Sequence, residues 1–372
     1  VCRANLPTPA LVLDLDRLEA NLDRMAEHVR ACGKSLRPHA KTHKCPEIAR
    51  RQVARGAIGI SVATVAEAEA MVAAGLPGVL LTSPIVDQPK IDRMVTLKAR
   101  GGDVLLAVGH PFEADRLDEA AGAAGVTLDI LLDLDVGDRR TGVPVGKPAL
   151  ALARRLAEAR HLRLIGVQAY SGLSSHVVGH DDRRRHSHQT LAPAVDLLDQ
   201  LRRWGLDARI LSVASTGTYD IDAELPGVTE LQCGSYVFLD QDYQRIGSRR
   251  GDRFADFTPS LTVLATVINA QPGLDWVLVD AGIKAFATDV AALPEVVGRP
   301  DLLYKRRGDE FGQLFPAQPG APLPEIGDRL EFTIPHCDPT VNLYDRIHAV
   351  RGDRVEAVWP ITARREFPPL TS

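Results

Sequence analysis

The sequence predicts a (β/α)8 TIM-type barrel followed by a smaller all-β domain, and three observations carry that expectation. Short apolar stretches alternate with helical ones about eight times before residue ~255, at a repeat of roughly 25–30 residues. Alternation of this length argues for a barrel of about 250 residues, with a doubly wound sheet as the other arrangement. Beyond residue ~255 helical periodicity nearly disappears, and strand-like runs separated by turns replace it, with prolines clustered at 316–324. Polar clusters also recur just past the carboxyl ends of the predicted strands, where a barrel gathers its active site. These are His39/Lys41, Asp133/Asp135/Arg140, Gln168/Tyr170, Ser215/Thr216 and Gln232/Gly234/Ser235. The expected division is 9–255 for the barrel and 256–372, joined by 1–8, for the β domain.

Taken in order, Ala10-Leu11-Val12-Leu13-Asp14-Leu15 reads as a strand. Asp16 then caps a helix whose apolar positions Leu18, Leu22, Met25 and Val29 recur at helical spacing, and Gly33 closes it. A strand over 35–41 follows, then a helix over 46–55 with proline in its first turn. Strands at 57–62, 79–82, 104–108, 128–134, 164–169 and 210–213 alternate with helices at 65–74, 88–100, 111–124, 147–159 and 183–204. The strands are rich in Val, Leu and Ile on both faces, as strands buried in a parallel sheet are. In the second domain 261–268, 276–279 and 355–359 read as strands.

Composition narrows the function class. At 45% hydrophobic and 25% charged, the 372 residues are ordinary globular material. A formal net charge of −4 without a long basic run argues against nucleic acid as a partner. No run of about 18 apolar residues is present to span a membrane. Val1-Cys2-Arg3-Ala4-Asn5 has no apolar signal core, which points to a cytoplasmic protein. The five scattered cysteines include no CxxC pair, so a disulfide framework and a Cys-rich zinc site are both disfavoured.

The chemistry centres on Ser35-Leu36-Arg37-Pro38-His39-Ala40-Lys41-Thr42-His43-Lys44. A lysine at the end of a buried strand, with Arg37, His39 and Lys44 adding like charge, is pushed towards the neutral amine that condenses with an aldehyde. The same residues also read as a cationic surface loop. The loop 136–142, with two glycines and Arg140, suits an anion or a ring edge. Ala214-Ser215-Thr216-Gly217-Thr218-Tyr219 and Gln232-Cys233-Gly234-Ser235-Tyr236 offer hydroxyls and backbone N–H groups to a phosphate, although ordinary turns use the same residues. In His336-Cys337-Asp338, an extended backbone puts His336 and Asp338 on one face, as a divalent cation such as Mn²⁺ or Mg²⁺ needs. A hydrogen-bonded pair is the other reading. The run His176–His188 reads as a solvated loop and helix start, except that His176 lies close enough to a strand end to reach the site.

Together Pro7-Thr8-Pro9-Ala10-Leu11-Val12-Leu13-Asp14, Arg37-Pro38-His39-Ala40-Lys41-Thr42-His43-Lys44, Ser215-Thr216-Gly217-Thr218-Tyr219 and His336-Cys337-Asp338-Pro339-Thr340-Val341-Asn342-Leu343 resemble the D-threonine aldolase/D-serine dehydratase family. These are fold-type III pyridoxal phosphate enzymes related to alanine racemase. The resemblance implies pyridoxal 5'-phosphate on Lys41 as a Schiff base, Arg140 beside its ring, and Gln168 and Tyr170 along its face. It also implies a phosphate held by Thr216, Gly217, Gly234 and Ser235, and a divalent metal, Mn²⁺ before Mg²⁺, on His336 and Asp338. Gln232 falls where racemases place an arginine opposite the pyridine nitrogen, and a neutral amide there leaves that nitrogen unprotonated. The family's zinc dehydratases resemble His-x-Cys and its aldolases His-x-Asp, so Asp338 selects the aldolase branch. The implied reaction is cleavage of D-threonine and other D-3-hydroxy amino acids to glycine and an aldehyde. Its base is left open between His176 and a water on the metal. Dehydration of D-serine or D-3-hydroxyaspartate and cleavage of 3-hydroxyaspartate are the alternatives within the family. A cofactor carrier and a racemase stand outside it, the racemase needing a tyrosine base from among Tyr304 and Tyr344. The resemblance further implies a homodimer.

Overall fold

The computed structural model describes residues 2–364. Residues 1 and 365–372 of the expected division lie outside them. The described residues form two compact units, one comprising 2–22 together with Ser235–Thr362, the other Asp23–Gly234 with 363–364.

The second of these is the barrel. Its strands are β2 (Ser35–Leu36), β3 (Ile60–Val62), β4 (Val79–Leu81), β5 (Val104–Val108), β6 (Leu128–Asp135), β7 (Leu162–Gln168), β8 (Ile210–Val213) and β9 (Glu230–Leu231). All pair in parallel, in the order β2-β9-β8-β7-β6-β5-β4-β3. A parallel bridge between His39 and Ser61 joins the two ends of that order, so the ring closes. Leu80, Leu105, Leu131 and Ile165 pack together across four neighbouring strands. Helices α2 (Pro46–Val53), α3 (Val65–Ala73), α4 (Gln88–Ala99), α5 (Pro111–Ala123), α6 (Lys147–Glu158) and α7 (His180–Arg203) supply the crossovers. Parallel strands need such connections.

The expected strand over 35–41 ends at Leu36 in the ladder. Residues 40–42 form a 3₁₀ turn because the His39 side chain accepts the Lys41 N–H at 3.3 Å. Where β2 meets β9 the buried Arg37 is clamped. Its Nε and Nη2 donate to the two carboxylate oxygens of Glu230, each at 3.0 Å, and Nη1 donates to the Gly78 carbonyl. The guanidinium lies so close to Gly59 and Gly78 that a Cβ at either would collide with it. Arg37→Met leaves Glu230 buried without a counter-charge, and the expected loss is about 3–5 kcal/mol of stability. Denaturant melts check it, and an unshifted midpoint would mean that the pair contributes nothing.

The other unit is an all-β sheet. Its strands are β1 (Ala10–Asp14), β10 (Leu261–Asn269), β11 (Val277–Val279), β12 (Leu302–Arg306), β13 (Gly312–Pro316), β14 (Arg329–Thr333), β15 (Arg346–Arg351) and β16 (Arg354–Pro360). They follow the order β12-β13-β11-β10-β1-β15-β16, with β14 also on β10. Strand β1 thus pairs with β10 antiparallel and with β15 in parallel, and β9 takes the place in the barrel ring that 10–15 was read as filling. The helix α1 (Leu15–Ala31) starts one residue before Asp16, and Asp14, not Asp16, accepts the Arg17 N–H at 3.0 Å. Phe286, Tyr304 and Phe332 meet edge to face at 5.7–5.9 Å inside this unit, a geometry that adds to their area burial.

Candidate active site

In the barrel unit, Lys41, Arg140, Gln168 and Tyr170 line one cavity of about 240 Å³, with His39, Thr82 and Gln232 also in its wall. Strand ends deliver them. Lys41 follows β2, Thr82 follows β4, Gln168 ends β7 and Gln232 follows β9. Lys41 is half-buried. Its Nζ sits 5.6 Å from the centre of the Tyr170 ring, and the Arg140 guanidinium carbon is 4.9 Å from the same ring. Tyr170 is therefore a shared platform for two cations.

The cationic residues around Lys41 differ from their expected roles. Arg37 is neutralised by Glu230, and Lys44 Nζ is tied to the Lys41 carbonyl at 2.6 Å. His39 stays neutral, since burial first, then the charges of Lys41 and Arg140, hold its pKa well below the ordinary value. With Nδ1 accepting from Lys41, its Nε2–H donates to Thr82 Oγ1 at 3.1 Å, and Thr82 donates to the Val62 carbonyl at 3.0 Å. The nearby like charges are thus Lys44, which stays an ammonium while donating to a neutral carbonyl, and Arg140, from a different strand end.

Gln168 donates to Asp133 Oδ1 at 2.8 Å and to the Thr82 carbonyl at 3.1 Å. Gln232 donates to Gln168 Oε1 at 3.1 Å and to Ser212 Oγ at 2.8 Å. Burial raises the pKa of the Asp133 carboxyl, against the Gln168 hydrogen bond. Asp138 accepts from Ser171 Oγ at 2.9 Å and from the Gly172 N–H, tying the Arg140 loop to the loop after β7.

The phosphate candidates do not line this cavity. Thr216 and Gly217 lie in the turn Thr216–Thr218. It is braced from behind by the fully buried Arg183, which donates to the Gly217 carbonyl at 2.7 Å. A Cβ on Gly234 would meet the His39 carbonyl at 2.7 Å and Thr42 Oγ1 at 2.9 Å, so only glycine lets this turn lie against the Lys41 turn. Ser235, next in the chain, opens the 3₁₀ turn Ser235–Val237 of the other unit.

His176 is exposed at the end of the short helix Gly172–Ser175. Its Nδ1 lies 3.2 Å from the Gly172 carbonyl. A carbonyl only accepts, so Nδ1 carries the hydrogen and the neutral ring has its lone pair on Nε2. The other histidines of the run are docking groups. His180 bonds Asp220 at 2.9 Å, His186 bonds Ser174 at 2.9 Å and His188 bonds the Ile221 carbonyl at 3.3 Å.

In the β unit, His336 and Asp338 are not on a strand. His336 caps the short helix Cys337–Val341, and that turn brings His336 Nε2 within 3.8 Å of Asp338 Oδ2. Cys337 is buried, with its N–H donated to Asp240 Oδ2 at 2.8 Å. Burial raises the pKa of the Asp240 carboxyl. Sequence reading missed Asp289, whose Oδ2 lies 2.6 Å from His336 Nδ1. Nothing local marks it, 47 residues away. A carboxylate on Nδ1 fixes the tautomer and turns the Nε2 lone pair outward, the usual support for a metal-binding imidazole. Nitrogen and carboxylate oxygen at this separation can hold one cation with water completing its shell. No group of three or more His, Cys, Asp or Glu suited to a metal occurs among the described residues. Asp289→Asn is expected to weaken Mn²⁺ binding about 10–100-fold, read as free Mn²⁺ by electron paramagnetic resonance. Unchanged affinity would separate Asp289 from the metal.

Comparison with known proteins agrees with this layout. A family model described as the N-terminal domain of alanine racemase matches residues 13–242, and a serine dehydratase domain model matches residues 260–350. The chain is 37% identical over 361 residues to the D-threonine aldolase of Arthrobacter sp., covering 97% of this chain and 93% of that one. It is 34% identical over 365 residues to the 3-hydroxy-D-aspartate aldolase of Paracoccus denitrificans (strain Pd 1222), again covering 97% and 93%. The crystal structure of D-threonine aldolase from Filomicrobium marinum is similar to it, with a TM-score of 0.90, 38% identity, and coverage of 97% of this chain and 96% of that one.

Proposed function

Since the chain belongs to the D-threonine aldolase/D-serine dehydratase family of alanine racemase-like enzymes, we propose that it is a carbon–carbon lyase that cleaves D-threonine and related D-3-hydroxy amino acids to glycine and an aldehyde. The observation that carries this reading is the ligand pair itself. Asp338 Oδ2 stands 3.8 Å from His336 Nε2, while the Cys337 side chain is buried. A hard nitrogen–oxygen pair suits Mn²⁺ or Mg²⁺ and a bound hydroxyl, whereas a thiolate would select a softer ion.

The residues fit pyridoxal phosphate. The Lys41 amine and an amide oxygen of Gln232, which has no partner among the described residues, belong to the wall of one small cavity. When bound, the cofactor stores the electron pair of the broken bond and the metal acidifies the substrate hydroxyl. Lys41 supplies the attachment amine. Tyr170 holds that amine and Arg140 against its ring, and His39, kept neutral, contributes no competing charge. His336 and Asp338 hold the cation, and His176 Nε2 takes the hydroxyl proton.

His176→Ala is expected to lower kcat by about 10²-fold or more with little change in KM. An unaltered kcat would move the proton to another acceptor. A racemase would need a second base, and the two candidate tyrosines beyond residue 255 are engaged: Tyr304 with the Ala281 carbonyl at 2.8 Å and Tyr344 with the Ala285 carbonyl at 3.0 Å. Burial also pushes the Tyr304 hydroxyl up to about 12. The deciding assay incubates the holoprotein with D-threonine and quantifies glycine, 2-oxobutanoate and L-allo-threonine separately. Glycine with acetaldehyde is expected; 2-oxobutanoate would make it a dehydratase, and L-allo-threonine, the product of inversion at Cα alone, a racemase.

A further inference from the structure

Two buried amides, Gln168 and Gln232, stand side by side in the cavity wall, and their orientations are forced. One terminal atom of Gln168 contacts both Asp133 Oδ1 and the Thr82 backbone carbonyl. A backbone carbonyl has no hydrogen to give, so that atom is the nitrogen whatever the protonation state of Asp133. Gln168 therefore presents its oxygen to Gln232, and the Gln232 atom 3.1 Å away must also be nitrogen. The second hydrogen of that nitrogen goes to Ser212 Oγ at 2.8 Å. Every N–H of the two amides is spent. What remains is Gln232 Oε1, an acceptor without a partner among the described residues, on a side chain only 4% exposed. Rotating the amide would set oxygen against oxygen at Gln168 and forfeit that hydrogen bond, at about 1–3 kcal/mol for each polar group left unsatisfied, although the Ser212 hydroxyl could donate to either atom.

We propose that this chain binds pyridoxal phosphate with its ring nitrogen protonated, the pyridinium N–H donating to Gln232 Oε1. The inference rests on the cofactor reading above. Of the cofactor's polar groups, the phosphate oxygens are acceptors and the aldehyde is consumed by Lys41. The 3-oxygen, adjacent to the aldehyde carbon, falls to Arg140, the cation that shares the Tyr170 ring with Lys41. Only the ring nitrogen is left to satisfy Gln232, and only with a hydrogen on it, because an unprotonated nitrogen would oppose two lone pairs. This reverses the expectation that a neutral amide leaves the nitrogen bare. Orientation decides it: an amide turned with its N–H inward would do so, whereas one turned with its oxygen inward does the opposite. Asp133 and the Thr82 carbonyl, two contacts away, set that orientation.

The test is the ¹⁵N resonance of holoprotein reconstituted with cofactor labelled at the ring nitrogen, with borohydride trapping on Lys41 run in parallel. A trapped cofactor with the upfield resonance of a pyridinium is the expected result. A trapped cofactor with the downfield resonance of a neutral pyridine overturns the proposal while leaving the cofactor reading intact. Failure to trap any cofactor overturns both. Gln232→Leu removes the acceptor and should shift the resonance to the neutral position with the cofactor still on Lys41, whereas Gln232→Glu should keep it protonated. A pyridinium that survives in the leucine variant also counts against Gln232. If the leucine variant does not fold, the wild-type resonance decides alone.

Discussion

Replacing Lys41 by alanine is expected to abolish cofactor attachment and all turnover. Lys41 is the one lysine in the wall of the cavity formed by Arg140, Gln168, Tyr170 and Gln232. Neighbouring nitrogens cannot take over. Lys44 Nζ is bound to the Lys41 carbonyl, His39 is engaged at both ring nitrogens, and a guanidinium such as that of Arg140 stays protonated and does not condense with an aldehyde. Lys41→Arg keeps the positive charge over Tyr170 and should be equally dead, which separates the nucleophile from the charge. The measurement is the visible absorbance of the lysine-bound cofactor and its borohydride-trapped peptide. A variant that retains the band and the activity would place the attachment elsewhere.

Chelation should have the second largest effect: turnover falls to background while the absorbance band stays, and Mn²⁺ restores it. The separation is expected because Lys41 belongs to one compact unit and His336 and Asp338 to the other. Asp338→Cys sharpens the experiment, since thiolate favours Zn²⁺ over Mn²⁺. Glycine formation with Mn²⁺ should then drop, and pyruvate from D-serine should be sought with Zn²⁺ loaded. Full activity in metal-free protein after exhaustive chelation would remove the metal from the reaction.

Local periodicity made the barrel legible. Strands such as Val104–Val108 and helices such as Pro111–Ala123 carry their own apolar pattern and their own stop signals. Pairing over long distances did not show. Ala10–Asp14 is apolar on both faces and reads as a barrel strand, yet its partners are Leu261–Asn269 and Arg346–Arg351. Glu230–Leu231 completes the ring with two residues, too few for any period. The hairpin of Arg346–Arg351 with Arg354–Pro360 did carry a signal, Gly352-Asp353, with glycine at φ 57° in the turn. At the site, residue types at strand ends pointed to Lys41, Arg140, Gln168 and Tyr170. Backbone state was less visible. His336 and Asp338 meet across a helical turn, not along a strand, and Asp289 reaches them from a distant segment.

The clamp of Arg37 on Glu230 also sets a schedule. The two residues are 193 positions apart. At a ribosomal rate of about 5–20 residues per second, β2 waits about 10–40 s before its β9 neighbour has been synthesised. Throughout that interval the nascent half-ring has an unpaired margin, the kind of template on which other chains condense. Arg37 occupies that margin as a cation without a counter-charge until Glu230 arrives, and an inward-pointing charge deters any foreign strand that could not neutralise it. The same side chain is thus a guard on the ribosome and a lock in the finished ring, released from the first duty only by the residue that assigns it the second.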